Sequence, residues 1–182
     1  DNIEADDTIA YIANEVYTEP DQKVQIVSTD RDFLQLVNNR ISVWSPIKKK
    51  MYTPKLMKEE FGIDASNYLL YRTFLGDKSD NIPGVKGVAL KSLIKYFPML
   101  SENRSVDFKE LLEHAQDGKD RYKIYKSVIE SEDQVNLNRS LMQLKEVDIA
   151  GNLKMMIHDK VTGPVDKLNT FQFKKMFMQD KM

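Results

Sequence analysis

Two short runs rich in β-branched residues, 23–28 (KVQIVS) and 41–44 (ISVW), constrain the fold of this chain most. Thr29-Asp30 closes the first run, and residues 32–37 (DFLQLV) read as a helix between the two. Strand, helix, strand in that order predicts an α/β layer with a parallel pair and a right-handed crossover. The first run is expected to be a buried parallel strand. Upstream, Ile9, Ile12, Ala13 and Val16 recur at helical spacing, so residues 3–17 read as an amphipathic helix that Glu19-Pro20-Asp21 ends. Downstream, Lys48-Lys49-Lys50 form a basic turn into a short strand at Met51-Tyr52.

After Pro54 the pattern becomes helical. Residues 54–61, 65–75, 87–97, 107–115, 119–131 and 132–144 carry helical patterns, and a last helix is expected over 164–180, with Val165, Leu168, Phe171, Phe173, Met176 and Phe177. Residues 76–86 (GDKSDNIPGVK) hold the densest Gly, Pro, Asp and Asn punctuation. Residues 101–107 and 148–152 read as flexible joints.

Composition removes several classes. No apolar run approaches the ~18 residues of a membrane span, and there is no secretory leader pattern. With no Cys, a disulfide scaffold and thiolate metal sites are excluded. A reducing compartment, the cytoplasm, is the expectation. His114 and His158 are too few and too far apart for a His-based zinc site, so any metal must be held by carboxylates. The chain begins with Asp1 rather than Met, as expected of a processed product or part of a longer polypeptide.

Three acidic clusters stand out. Glu4, Asp6 and Asp7 start the first helix, where acids also complement the helix dipole. Asp30 and Asp32 follow the first strand, where open α/β sheets place their sites, though an ordinary helix cap fits as well. Asp77 and Asp80 sit in the punctuated loop, where Asp is also a common turn residue. If all seven converge, mutual repulsion raises their pKa values and destabilises the fold. Hard divalent cations, Mg²⁺ or Mn²⁺, resolve that repulsion. Two such ions about 4 Å apart are the usual machinery for phosphodiester cleavage.

The motifs EADDTIA, STDRDFLQL and GDKSDNIPGVKGV, in that order, resemble those of the 5′-nuclease family: flap endonucleases, the 5′-exonuclease domain of bacterial DNA polymerase I and phage 5′-exonucleases. WSPIKKKMY is most similar to the T-even phage ribonuclease H branch. The resemblance runs from residue 3 to about residue 96; beyond that it is a general one, to a helical lobe and a returning C-terminal helix. It implies an α/β fold, a partial parallel sheet of the PIN-like 5′-nuclease core, with a helical helix–hairpin–helix-like DNA-binding lobe. Residues 1–53 would be the C-terminal part of the catalytic core. Residues 54–182 would be the helical region, with the hairpin element at about 65–97.

The resemblance assigns Glu4, Asp6 and Asp7 to a first metal and Asp30, Asp32, Asp77 and Asp80 to a second; Glu4, Asp6, Asp30, Asp32 and Asp80 are the implied catalytic set. It also implies a DNA-backbone grip at Gly84, Lys86, Gly87, Lys91 and Lys95, with K⁺ held by carbonyls of the turn. Gly84 and Gly87 would let backbone N–H groups approach a phosphate at a helix N-terminus, and Lys91 and Lys95 share a helix face. Ala89 stands where the family usually has Gly. A long N-terminal segment of the family, which carries further acids and a basic arch, has no counterpart here, so the chain reads as a C-terminal portion.

The implied activity is metal-dependent 5′-3′ exonuclease or flap endonuclease cleavage, with ribonuclease H-like primer removal in replication. The implied partners are 5′-flap or nicked DNA or an RNA–DNA hybrid, the missing N-terminal segment, and a single-strand-binding protein or sliding clamp. A non-catalytic DNA-binding fragment is the rival reading. A small-substrate carboxylate enzyme ranks last, because it leaves GDKSDNIPGVKGV unexplained.

Formal net charge is -1, but setting aside seven of the 28 acids leaves an excess of six positive charges. Lys48–Lys50 are open between duplex contact and a solubilising turn. Arg72 could neutralise a carboxylate, meet phosphate or form a surface pair. Trp44, Tyr68, Tyr71 and Phe74 read as core, Lys119, Arg121, Lys123 and Lys126 as a solvated basic helix face, and the nine Met as core filler. His158 has no role assigned.

Overall fold

The computed structural model describes residues 3–165 and 167–179. They divide into two units, the first reaching Ile149 and the second starting at Ala150. No helix among the described residues is long and apolar enough to cross a membrane.

In the first unit, β1 (Val24–Val27), β2 (Ile41–Ser45) and β3 (Lys50–Tyr52) form a sheet in the order β1-β2-β3. β1 and β2 are parallel, Val24 opposite Ile41 and Val27 opposite Trp44, as the strand–helix–strand succession predicts. β3 returns antiparallel, with Val43 facing Tyr52. Residues 46–49 are too few for a parallel crossover, so the sheet is mixed. Ile41, Val43 and Ser45 of β2 are buried on one face, while Trp44 is half-buried. β1 is less buried than expected. Ile26 is enclosed, but Val27 is 62% exposed at the sheet edge.

The β1–β2 connection is a 3-10 turn, Asp32–Leu36, with Phe33, Leu34 and Leu36 in the core. The first helix, α1 (Ala5–Tyr11), continues as a π-helical turn over Ile12–Val16. α2 (Pro54–Phe61) starts at Thr53, whose hydroxyl accepts from Leu56 N at 3.4 Å, and stops at Gly62 in the left-handed region. A 3-10 turn (Ala65–Asn67) leads into α3 (Tyr68–Leu75), which buries Tyr68, Tyr71 and Phe74. α4 (Leu90–Tyr96) begins later than its pattern predicts, because Val88 N donates to Val85 O and closes a turn first. α5 (Phe108–Asp117), α6 (Lys123–Glu130) and α7 (Glu132–Met142) complete the unit.

One core joins the sheet to these helices through Ile41, Tyr52, Met57, Tyr68, Phe74, Leu93, Phe97 and Leu111. Residues 101–107, expected as a joint, are tied to the fully buried Asn67. Its Nδ2 donates to Leu100 O and Arg104 O, both at 3.0 Å, and its Oδ1 accepts from Val106 N at 2.8 Å. Lys119 and Arg121 precede α6 and therefore do not share a helix face with Lys123 and Lys126, as their spacing had suggested.

The second unit holds α8 (Gly151–Thr162) and α9 (Thr170–Gln179). α8 was unexpected; it starts inside the joint read at 148–152. α9 is shorter than the predicted 164–180 helix, whose residue 180 lies outside the described residues. No described side chain of this unit is buried. Met155, Met156, Met176 and Met178 are exposed, so the reading of methionine as core filler holds for Met57 and Met142, and for Met99, which is partly buried against the core; Met182 lies outside the described residues.

Candidate metal centre and nucleic-acid interface

Three chain segments deliver the acids. α1 presents Asp6 and Asp7 in its first turn, with Glu4 immediately before it. Asp30 and Asp32 follow the carboxyl end of β1, where a parallel strand aims its loop at a site. Asp32 N donates to Asp30 Oδ1 at 2.8 Å, a local turn that leaves Asp30 exposed; the cap position read from sequence for Asp30 is taken by Arg31 instead. Asp77 and Asp80 lie in the loop after α3.

That loop is tightly specified. Asp77 N donates to Ile82 O (2.9 Å) and Ile82 N to Asp77 O (2.7 Å). Three of the last four carbonyls of α3, which a helix end leaves to outside partners, are taken up: Arg72 O by Gly76 N, Phe74 O by Val85 N, and Thr73 O by the buried Asn138 amide of α7. Gly76 has φ 67°, and a Cβ there would lie 2.3 Å from Ile82 O. At Gly84 a Cβ would lie 2.2 Å from Leu75 O. Gly84 is thus required for packing against α3. Gly87, at φ 80° and with only Ser127 Oγ at 3.9 Å from where a Cβ would stand, suits the approach to phosphate expected from sequence.

One oxygen each from Asp32, Asp77 and Asp80 lies within 4.8 Å of the others, the one such acidic set of three or more among the described residues. Glu4, Asp6, Asp7 and Asp30 fall outside that set but close to it. Burial, then the charges of Asp30, Glu4, Asp7 and Asp80, push the Asp6 carboxyl above its ordinary pKa. All three segments therefore converge on one region. Burial also raises Asp32, against the lowering pull of Arg72. Asp77 is held down at about 2, first by the Ser79 hydroxyl, with the Ser79 N–H and Arg72 adding to it. Arg72 Nη2 donates to Asp32 Oδ1 at 2.9 Å and to Asp77 Oδ2, so of its open sequence readings the carboxylate-neutralising one holds. An open cleft of about 620 Å³, lined by Asp30, Arg72, Asp77 and Ser79 among others, lies beside the cluster.

A donor set of carboxylate oxygens, with three negative charges against one guanidinium, suits a hard divalent cation and no soft one. Gln35 fixes its floor. From full enclosure its Nε2 donates to Asp32 O (2.9 Å) and Met142 O (2.8 Å), and its Oε1 accepts from Leu144 N (2.8 Å). Gln35 lies within STDRDFLQL but was assigned no role there, and Asn138 belongs to no motif; the spacing of the sequence singled out neither.

The hairpin segment presents Lys86, Lys91 and Lys95, all exposed. Gly84, Lys86 and Gly87 line a second cleft of about 660 Å³ with Lys123 and Ser127 of α6. Lys95 Nζ also lies 5.1 Å above the Tyr96 ring. Ala89 has φ −135°, which any residue adopts; its N–H donates to Ser92 Oγ at 2.9 Å. Lys48 and Lys50 are engaged by Glu60, at 3.7 and 2.8 Å.

Residues 1–62 match the family model described as 5′-3′ exonuclease, N-terminal resolvase-like domain. The flap endonuclease Xni of Pseudoalteromonas translucida is 34% identical over 149 residues, which cover 79% of this chain and 58% of that protein. Among solved structures, T5 5′-exonuclease with divalent zinc bound superposes with a TM-score of 0.69 at 22% identity, over 87% of this chain and 59% of that one. A bacteriophage T5 flap endonuclease in a pseudo-enzyme-product complex with DNA and metal ions gives 0.64 at 21%, over 88% and 54%. The chain spans less than two thirds of the length of each. The structural likeness shows the fold, an α/β fold of the PIN-like nuclease kind. The family model and the curated relative support the 5′-3′ exonuclease and flap endonuclease family.

Proposed function

We propose that this chain is the C-terminal portion of a divalent-metal-dependent 5′ nuclease that hydrolyses phosphodiesters near the 5′ end of DNA or of an RNA–DNA hybrid. The observation that carries the reading is the convergence of Asp32, Asp77 and Asp80 within 4.8 Å, beside Asp6 and Asp30. In this reading Asp30, Asp32, Asp77 and Asp80 hold one cation, and Glu4, Asp6 and Asp7 contribute to a second site. Bound there, Mg²⁺ or Mn²⁺ supplies an acidified water and charge neutralisation at the scissile phosphate. Lys86, Lys91 and Lys95 with the Gly87 backbone hold the duplex phosphates, and carbonyls of the turn take K⁺. Residues 1–53 belong to the catalytic core and 54–182 to the helical region. The outer edge of β1, which pairs with no strand among the described residues, is consistent with a larger parallel sheet in the whole protein. WSPIKKKMY favours the ribonuclease H branch of T-even phages, hence primer removal in replication, with a single-strand-binding protein or sliding clamp as partner.

The test is incubation of the chain with Mn²⁺ and a labelled 5′-flap duplex. Release of product that Asp32→Asn and Asp80→Asn abolish supports the reading. A salt-sensitive gel shift without product would instead reduce this chain to a DNA-binding fragment. Product formation at the wild-type rate by both variants would overturn the metal assignment.

A further inference from the structure

Arg72 sits where a cation belongs. Its side chain is 11% exposed, and a single nitrogen, Nη2, reaches Asp32 from one segment and Asp77 from another. An arginine that recognises one carboxylate as a planar fork uses two nitrogens on two oxygens of the same group. Here one nitrogen spans two carboxylates of the converging set of three, which is the bridging role a metal ion fills. The guanidinium is also incompletely satisfied: Nε is buried with no hydrogen-bond partner among the described residues. Charge attraction, rather than a closed set of hydrogen bonds, therefore holds it in place. Arg72 itself lines the open cleft of about 620 Å³, so the side chain has room to swing away from the acids.

We propose that Arg72 is a resident counter-ion that keeps Asp32 and Asp77 assembled without metal and releases at least one of them when a divalent cation binds. The inference rests on the metal reading of the cluster. Its electrostatics set the sign. Three carboxylates and one guanidinium carry two net negative charges, which a divalent cation neutralises. Without Arg72 the same acids carry three, so they repel one another more strongly in the absence of metal and attract a cation more strongly in its presence. Arg72 is thus a positioning residue, which favours the metal-free fold at the expense of metal affinity. A merely structural arginine would give the opposite sign, since its loss would loosen the site and weaken binding.

The experiment compares wild type, Arg72→Gln, Arg72→Lys and Asp80→Asn by Mn²⁺ calorimetry and by thermal melting in chelator. Arg72→Gln is expected to melt lower in chelator yet bind Mn²⁺ more tightly, on the order of three- to tenfold. Arg72→Lys keeps the charge and is expected to bind Mn²⁺ close to wild type. Binding by Arg72→Gln that is unchanged or weaker would overturn this inference alone. Failure of wild type to bind Mn²⁺, with Asp80→Asn indistinguishable from it, would overturn the metal reading and the inference with it. Should Arg72→Gln not fold, the guanidinium N–H resonances of wild-type Arg72 serve instead. Mg²⁺ is expected to shift them and speed their exchange with water; resonances that Mg²⁺ leaves unmoved would overturn the proposal.

Discussion

Asn138 and Pro83 are joined by a hydrogen bond of 2.9 Å from the Asn138 amide to the Pro83 carbonyl, across the boundary between α7 and the acidic loop. The same Nδ2 donates to Thr73 O at 2.8 Å, and Oδ1 accepts from Gln134 at 2.8 Å. One fully buried amide therefore holds the end of α3 and the far end of the loop that carries Asp77 and Asp80. The acids are placed from behind, by a helix that contributes none of them.

Asn138→Leu keeps the volume but leaves the buried Thr73 carbonyl and the part-buried Pro83 carbonyl without this donor. Each unmet group costs about 1–3 kcal/mol, so urea denaturation is expected to show a loss of about 2–4 kcal/mol. Because Asp77 and Asp80 ride on the released loop, Mn²⁺ affinity in the folded variant is expected to fall as well. Unaltered stability and unaltered affinity would show that the amide does not position the loop.

The difference between Asn138 and the acids explains what could be read in advance. Strands β1 and β2, their parallel pairing and α2 were legible because periodicity and punctuation are local. The acids were legible as clusters because their chemistry requires several of one type at fixed places. Gln35, Asn67 and Asn138 each act through one amide on distant backbone, which leaves no pattern; only the position of Asn138 on the apolar face with Val135 and Met142 hints at burial. α8 escaped because GNLKMMIHDKVT opens on Gly and carries no apolar stripe. The antiparallel return of β3 follows from the shortness of its turn, a constraint visible in sequence once the pairing is known. Arg72 could be read in several ways until its two carboxylates were located.

The loop backbone gives a second test. Gly76→Ala would place a methyl group 2.3 Å from Ile82 O at a positive φ, and Gly84→Ala would place one 2.2 Å from Leu75 O. Backbone must move in both cases, so each variant is expected to lose about 2 kcal/mol or more and to bind Mn²⁺ more weakly. Gly87→Ala meets only Ser127 Oγ at an ordinary contact distance of 3.9 Å and is strained only by its φ, so a smaller loss is expected there. Equal losses at all three positions would reject this account of the turn.

Acid repulsion predicts a pH dependence. The Asp6 carboxyl is raised by burial and by four neighbouring acids, so in the folded chain its ionisation is disfavoured relative to the unfolded chain. The resulting loss of stability is absent below the ordinary value of 3.8 and develops as pH rises through the higher folded value. Asp77, held at about 2, does the reverse: its stabilisation is present at neutral pH and is lost on acidification toward its folded value. Asp6→Asn is therefore expected to raise the melting temperature in chelator at neutral pH, by on the order of 1–3 °C. The advantage should vanish as pH approaches 3.8, and Mn²⁺ should stabilise the variant less than wild type. A variant that melts below wild type in chelator at neutral pH would contradict the repulsion.

The hairpin lysines make a different kind of prediction, about salt rather than pH. Lys91 and Lys95 lie one turn apart on α4 and are both exposed, with no carboxylate paired to either among the described residues. If each meets a phosphate, each releases condensed counterions when duplex binds, and the affinity falls with salt in proportion to the number of such contacts. Lys91→Gln with Lys95→Gln is then expected to flatten the slope of log affinity against log salt by about two, for any duplex sequence. Lys109→Gln serves as the control, since that lysine is exposed on α5 and lies 3.9 Å from Glu113. It removes one positive charge from the chain but no phosphate contact, so its slope should equal that of wild type. A double variant that weakens binding without changing the slope would place the DNA elsewhere, and equal slopes for the control and the double variant would reduce the lysine effect to net charge.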